Sequence, residues 1–179
     1  MPETVSATTI ECVQGDIASQ NTISAVVNAA NAELRIGGGV AGAIHRAAGP
    51  GLEEECRPLA PIGPGECVIT GAHNLPNDHV IHCLGPVYGR DKPEEELLAN
   101  CYRNALELAD EHGIESIAFP AISTGAFGYP AEEAADVAMR TVLDTVSKLE
   151  SVRQVRFVLY DRQALEIHEQ ALSRVVAER

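Results

Sequence analysis

Apolar residues fall in short runs along this chain, and the runs alternate with longer stretches in which apolar positions recur every three or four residues. The runs occupy residues 9–13, 25–28, 66–70, 80–84, 114–119 and 155–160 and read as strands, most of them buried on both faces. Leu97, Leu98, Cys101, Tyr102, Ala105, Leu106 and Ala109 keep the spacing of an amphipathic helix, with Gly113 as its stop. Ala135, Met139, Val142, Leu143 and Val146 repeat that spacing after Pro130, and Leu165, His168, Leu172 and Val175 repeat it near the C-terminus. The alanine-rich stretch 40–48 and the acidic stretch 53–55 also look helical. Acids crowd the first turns, at Glu94, Glu95 and Glu96 and at Glu132 and Glu133, where they complement the helix dipole. Strands alternating with helices predict an α/β sandwich with a mostly parallel sheet, formed as one domain over residues 1–179.

Two segments at predicted strand ends carry the candidate chemistry. Val26, Val27, Asn28, Ala29, Ala30 and Asn31 deliver two asparagine amides toward Gly37, Gly38 and Gly39, and a helix follows. Three glycines let the backbone approach a ligand and turn its N–H groups outward, an arrangement suited to phosphate. Ser123, Thr124, Gly125, Ala126, Phe127 and Gly128 form a second such segment between a strand and a helix. Two anion cradles in one small domain point to a diphosphate, and ligands of such folds sit at the carboxyl ends of the strands. Gly37, Gly39 and Gly42 also spell G-x-G-x-x-G, but Gly37 lies well past the strand end and no acid closes the next strand as a dinucleotide fold requires.

Single residues each carry a plain alternative. Asp16 after Gly15 is in the place of a turn or helix-cap aspartate. Asn28 and Asn31 could close turns through their own backbone, and Tyr160 could be a core aromatic with its hydroxyl at the rim. His79 and His82 fall on opposite faces of a strand and read as packed residues rather than metal ligands. No metal site and no cofactor is expected, and no Ser-His-Asp or Cys-His set follows from spacing.

Charge narrows the function classes. Twenty-six acidic residues against 13 basic ones give a net charge of −13, which argues against nucleic acid as a partner but not against phosphate held by backbone amides. No apolar run approaches the roughly 18 residues that cross a bilayer, and residues 1–13 lack the pattern of a secretory signal, so no membrane partner and a cytoplasmic location are expected. Five cysteines without a C-x-x-C pair read as reduced, mostly buried residues.

Gly15, Asp16 and Ile17, the 28–31 asparagine motif, the triple glycine with Ile44, His45, Arg46, Ala47, Ala48 and Gly49, and the 122–128 loop resemble, in order and spacing, the macro domain family. The resemblance covers nearly the whole chain. It implies a three-layer α/β/α architecture with some antiparallel pairing, and a site for ADP-ribose, free or attached to protein. In that site Asp16 would accept a hydrogen bond from the adenine amino group, the backbone of Ile17 would meet the adenine edge, and Tyr160 would stack on the base. Gly38, Gly39 and Val40 would line the diphosphate and distal ribose. Ser123, Gly125, Ala126 and Phe127 would offer amides to the phosphates, Ser123 also its hydroxyl, with Phe127 flanking the ribose where many relatives carry tyrosine. Asn31 would bond the ribose hydroxyls and is the one candidate for a catalytic part.

The resemblance breaks at Ala41, where the branch that cleaves ADP-ribosyl esters fastest has an aspartate thought to position or activate water. Another branch uses a lysine, but neither Lys92 nor Lys148 lies in a motif. The resemblance therefore implies ADP-ribose binding with slow ester hydrolysis. The alternatives are an efficient mono-ADP-ribosyl-protein hydrolase or O-acetyl-ADP-ribose deacetylase with a diphosphate-held water, or a phosphatase of ADP-ribose 1″-phosphate.

Overall fold

The computed structural model describes residues 2–179; Met1, the first residue of the span expected to form one domain, lies outside them. In chain order the elements are β1 (Glu3–Val5), β2 (Thr8–Gln14), β3 (Ala25–Ala29), α1 (Gly39–Ala48), α2 (Pro50–Cys56), β4 (Cys67–Gly71), β5 (His79–Cys83), α3 (Glu94–Glu111), β6 (Ser116–Phe119), α4 (Ala131–Val146), β7 (Gln154–Leu159) and α5 (Arg162–Ala177). The strands form one mixed seven-stranded sheet in the order β1-β2-β7-β6-β3-β5-β4. The interior pairs β2/β7, β7/β6, β6/β3 and β3/β5 are parallel, and both edge strands are antiparallel to their neighbours.

Successive strand residues point to opposite faces, so the sheet has two cores. Val27, Ile81, Ile117, Phe119, Val155 and Phe157 face α3, α4 and α5, while Val26, Val80, Ala118 and Val158 face α1 and α2. The result is the α/β sandwich expected from the pattern. All six expected strands are present within two residues of their predicted ends. The strand expected at 114–119 begins at Ser116, and the one expected at 155–160 stops at Leu159, leaving Tyr160 outside it.

β1 is an addition that the pattern did not predict. At three residues it is too short for alternation to register, and its turn to β2 places Ser6 and Ala7 at φ of 50° and 67° without the glycine or asparagine that marks such turns. All five cysteines are free, with Cys56, Cys83 and Cys101 buried and Cys12 and Cys67 half-buried. Among the described residues no helix is long and apolar enough to cross a membrane.

Candidate functional site

Because β2, β7, β6 and β3 are parallel neighbours, the segments that follow them leave the sheet side by side at one edge. In that order they bring Asp16, Tyr160, the 120–130 loop and the 30–38 loop. Three strand spacings, about 14 Å, separate the first from the last, room for a molecule with a base at one end, a sugar at the other and a diphosphate between them.

At the first end, Asp16 caps a short 3₁₀ turn, Ile17–Ser19, with Oδ1 accepting the Ala18 N–H at 2.9 Å. Its carbonyl receives Gln20 Nε2 at 2.8 Å, and buried Ile17 anchors the turn. The ordinary capping role is therefore present, yet it occupies one carboxylate oxygen and the other stays free for a ligand donor. Beside it, Gly15 N–H donates to Leu159 O at 2.9 Å. Tyr160, just beyond, is 91% exposed, which rules out the reading as a core aromatic. Asp161 caps α5, its Oδ1 accepting the Ala164 N–H at 2.8 Å, so Tyr160 stands between two fixed residues with its ring in solvent.

The middle of the edge is lined by backbone donors. Gly38 begins α1 with no side-chain cap, and the N–H groups of Gly38, Gly39, Val40 and Ala41 have no partner among the described residues. The N–H groups from Ser123 through Phe127 are likewise unpaired, while Gly128 N–H and Tyr129 N–H close the loop onto Gly125 O and Ser123 O. A Cβ added at Gly38, Gly39 or Gly125 would meet nothing within 4 Å, and only Gly39 needs a left-handed φ, of 55°. For Gly38 and Gly125, then, neither packing nor backbone conformation demands glycine; the space they leave lies along the row of free donors. Phe127 of the second loop and Val40 in the first turn of α1 pack on the same α1-side core, which ties the second loop to the helix that follows the first.

At the far end, Asn31 ties its own loop shut. Its Nδ2 donates to Arg35 O at 2.8 Å and its Oδ1 accepts the Arg35 N–H at 3.0 Å, while Leu34, at φ 57°, plugs the core below. The amide keeps a second hydrogen and a second lone pair, enough to bond a ribose hydroxyl. Ala41 is the third residue of α1, buried and directed at Gly37.

Two supports beneath the loops were not legible as such. Ser123 adopts φ 69° with its Oγ buried and unpartnered, pressed against Gly85, where a Cβ would collide with it. The clue was Gly85 and Pro86 directly after a strand. Under the 30–38 loop, Asn28 Nδ2 meets His82 Nδ1 at 3.0 Å, and His82 Nε2 meets Thr70 Oγ1 at 3.0 Å. His82 is fully buried, and burial, with the nearby His45 adding, pushes its imidazole down to about 3.

That shift sets a pH dependence. An unfolded histidine titrates near 6.5, so between about 6.5 and 3 the unfolded chain binds a proton that the folded chain refuses, and stability falls as pH falls through that window. Denaturant unfolding should show a loss of about 2 kcal/mol between pH 7 and pH 5 from His82, and His82→Gln should flatten the slope by that amount. Identical slopes in both proteins would exclude His82 as the source. Glu11, Asp110 and Asp136 do not confuse the result. Partial burial opposes their ionisation, but hydrogen-bond donors hold all three below the usual carboxylate range, so their contribution stays in place down to about pH 5 and is lost below it.

The family model for the macro domain matches residues 27–138, a span that includes both loops and Asn31. The chain belongs to the macro domain family. It is 48% identical over 168 residues to a macro domain-containing protein of Methanosarcina mazei, covering 93% of this chain and 89% of that one. It is also 48% identical over 170 residues to an O-acetyl-ADP-ribose deacetylase of Salmonella typhimurium, covering 92% and 94%. Among solved macro domains, that of Oceanobacillus iheyensis with ADP superposes at a TM-score of 0.95, with 39% identity over 100% of this chain and 97% of that one. The Trypanosoma brucei macrodomain in complex with ADP-ribose superposes at 0.84, with 34% identity over 91% and 68%.

Proposed function

We propose that this macro domain is a cytoplasmic protein that binds ADP-ribose, free or protein-linked, across the edge formed by Asp16, Tyr160 and the two glycine loops, and that it hydrolyses ADP-ribosyl esters slowly. The observation that carries the reading is the double row of unpaired backbone N–H groups, at 38–41 and at 123–127, beside glycines whose missing side chains leave open space. Such donors satisfy a diphosphate without a lysine, in keeping with an acidic chain. Asp16 and Tyr160 at one end suit a purine, and the spare valences of Asn31 at the other suit a sugar. The solved relatives with ADP and with ADP-ribose support the ligand.

Calorimetry should show ADP-ribose binding far more tightly than AMP, which lacks the second phosphate and ribose. Asp16→Ala should weaken ADP-ribose about 10-fold to 150-fold, corresponding to a charge-assisted bond of about 1.5–3 kcal/mol. The exposure of Asp16 favours the lower end of that range. Unchanged affinity would place the adenine elsewhere.

A second reading is an efficient O-acetyl-ADP-ribose deacetylase with a diphosphate-held water, favoured by the 48% identity to proteins of that name. It predicts fast turnover of the acetyl ester despite Ala41, whereas the slow-hydrolysis reading predicts saturable binding with turnover far below that of an aspartate-bearing relative.

A further inference from the structure

Just past the second glycine loop, the first turns of α3 and α4 and the middle of α5 enclose a groove of about 420 Å³ lined by Glu95, Tyr129, Glu132, Glu133, Asp136 and Arg174 among others. Asp136 is already neutralised, by Arg140 at 2.8 Å and Arg174 at 3.2 Å. Glu95, Glu132 and Glu133 are exposed, and among the described residues none has a basic partner. Helix dipoles explain an acid in the first turn of each helix taken alone. They do not explain why acids of two helices converge on one groove.

Tyr129 is the second observation. It is 5% exposed, lines the same groove, and its hydroxyl has no hydrogen-bond partner among the described residues. Its ring is fixed edge-on against Tyr88 at 4.9 Å, and its N–H is held by Ser123 O at 2.9 Å. Burial, and then the carboxylates of Glu95, Glu133 and Glu94, raise this phenol to about 12, so it stays neutral and able to accept a hydrogen bond. A neutral acceptor in a groove lined by Glu95, Glu132 and Glu133, which have no basic partner among the described residues, is complementary to a group with a positive charge and several N–H donors, an ammonium or a guanidinium.

The groove follows directly in the chain on the second glycine loop of the proposed ADP-ribose edge. Tyr129 lies two residues beyond Phe127, and Tyr88, its ring partner, donates its N–H to Phe127 O at 2.9 Å. We propose that this groove is a second binding site, for a basic segment of a protein, and that it selects ADP-ribosylated proteins with lysine or arginine near the modified side chain. The proposal rests on the reading that this domain accepts protein-linked ADP-ribose.

The test uses glutamate-linked ADP-ribosylated peptides that differ only in lysine-rich or glutamate-rich flanks, with free ADP-ribose and the unmodified lysine-rich peptide as separate ligands. The lysine-flanked peptide should bind about tenfold more tightly than its acidic counterpart at low salt, with the difference shrinking at high salt. Replacing Glu95→Gln, Glu132→Gln and Glu133→Gln together should erase the preference and weaken the unmodified peptide, while free ADP-ribose binds as before. Tyr129→Phe, which keeps the ring, should reduce the preference in part. Equal binding of both flanks by a protein that holds free ADP-ribose overturns the groove proposal and leaves the ligand site standing. Loss of free ADP-ribose binding in the wild type instead overturns the proposed function. Tight spermidine binding without any flank preference would assign the groove to a small polyamine and also overturn the proposal.

Discussion

Gly125→Glu should abolish ADP-ribose binding, a loss of at least about 100-fold, while the unliganded protein melts within about 2 °C of the wild type. The two halves of this result have separate causes. In the free chain a Cβ at Gly125 meets nothing within 4 Å and the residue has no left-handed φ, so a side chain there costs little. In the free chain the room for a side chain is present, and only a bound diphosphate would fill it. A glutamate puts bulk and a like charge beside that anion. Gly125→Ala, which adds only a methyl group, should lose far less. A Gly125→Glu protein with near wild-type affinity would place the diphosphate away from this loop.

Ala41→Asp should raise turnover of an ADP-ribosyl-glutamate ester ten-fold or more. The position lies in the stretch 40–48 that the sequence reads as helical, and it is the third residue of α1, where a carboxylate gains about 0.3–1 kcal/mol from the helix N-terminus. Its direction is fixed rather than flexible. The Ala41 Cβ lies 3.9 Å from where a Cβ on Gly37 would stand, and Asn31 Nδ2 lies 3.2 Å from that point. Ala41 and Asn31 thus flank Gly37 together, and a carboxylate grown from Ala41 starts within about 7 Å of the asparagine amide. Affinity for ADP-ribose should fall somewhat, since the new charge is near the phosphates. An unchanged rate would favour a water held by the diphosphate, and Asn31→Ala would then slow hydrolysis more than it weakens binding.

The elements and the donor loops were legible in the sequence because their signals are local. Helical period in 97–109 and 135–146, apolar runs at 25–28 and 80–84, and glycine at 37–39 and 125 depend on nothing farther than a turn away. The capping role of Asp16 was likewise legible, and the ligand role proposed for it draws on the other carboxylate oxygen.

Tertiary structure decided what each group faces. Strand order, not sequence order, puts Asp16 beside Tyr160 and the two glycine loops on neighbouring strands, because β7 and β6 insert between β2 and β3. The exposure of Tyr160 depends on β7 ending one residue early and on Asp161 capping the next helix, a choice that a run of apolar residues cannot display. The partner of His82 is Asn28, 54 residues away, so a pattern of alternating strand faces could say that the imidazole was packed but not that it props up the 30–38 loop. The convergence of Glu95, Glu132, Glu133 and Tyr129 has the same cause. Period and propensity fix which groups a segment offers, and the packing of helices from distant parts of the chain fixes which of them meet.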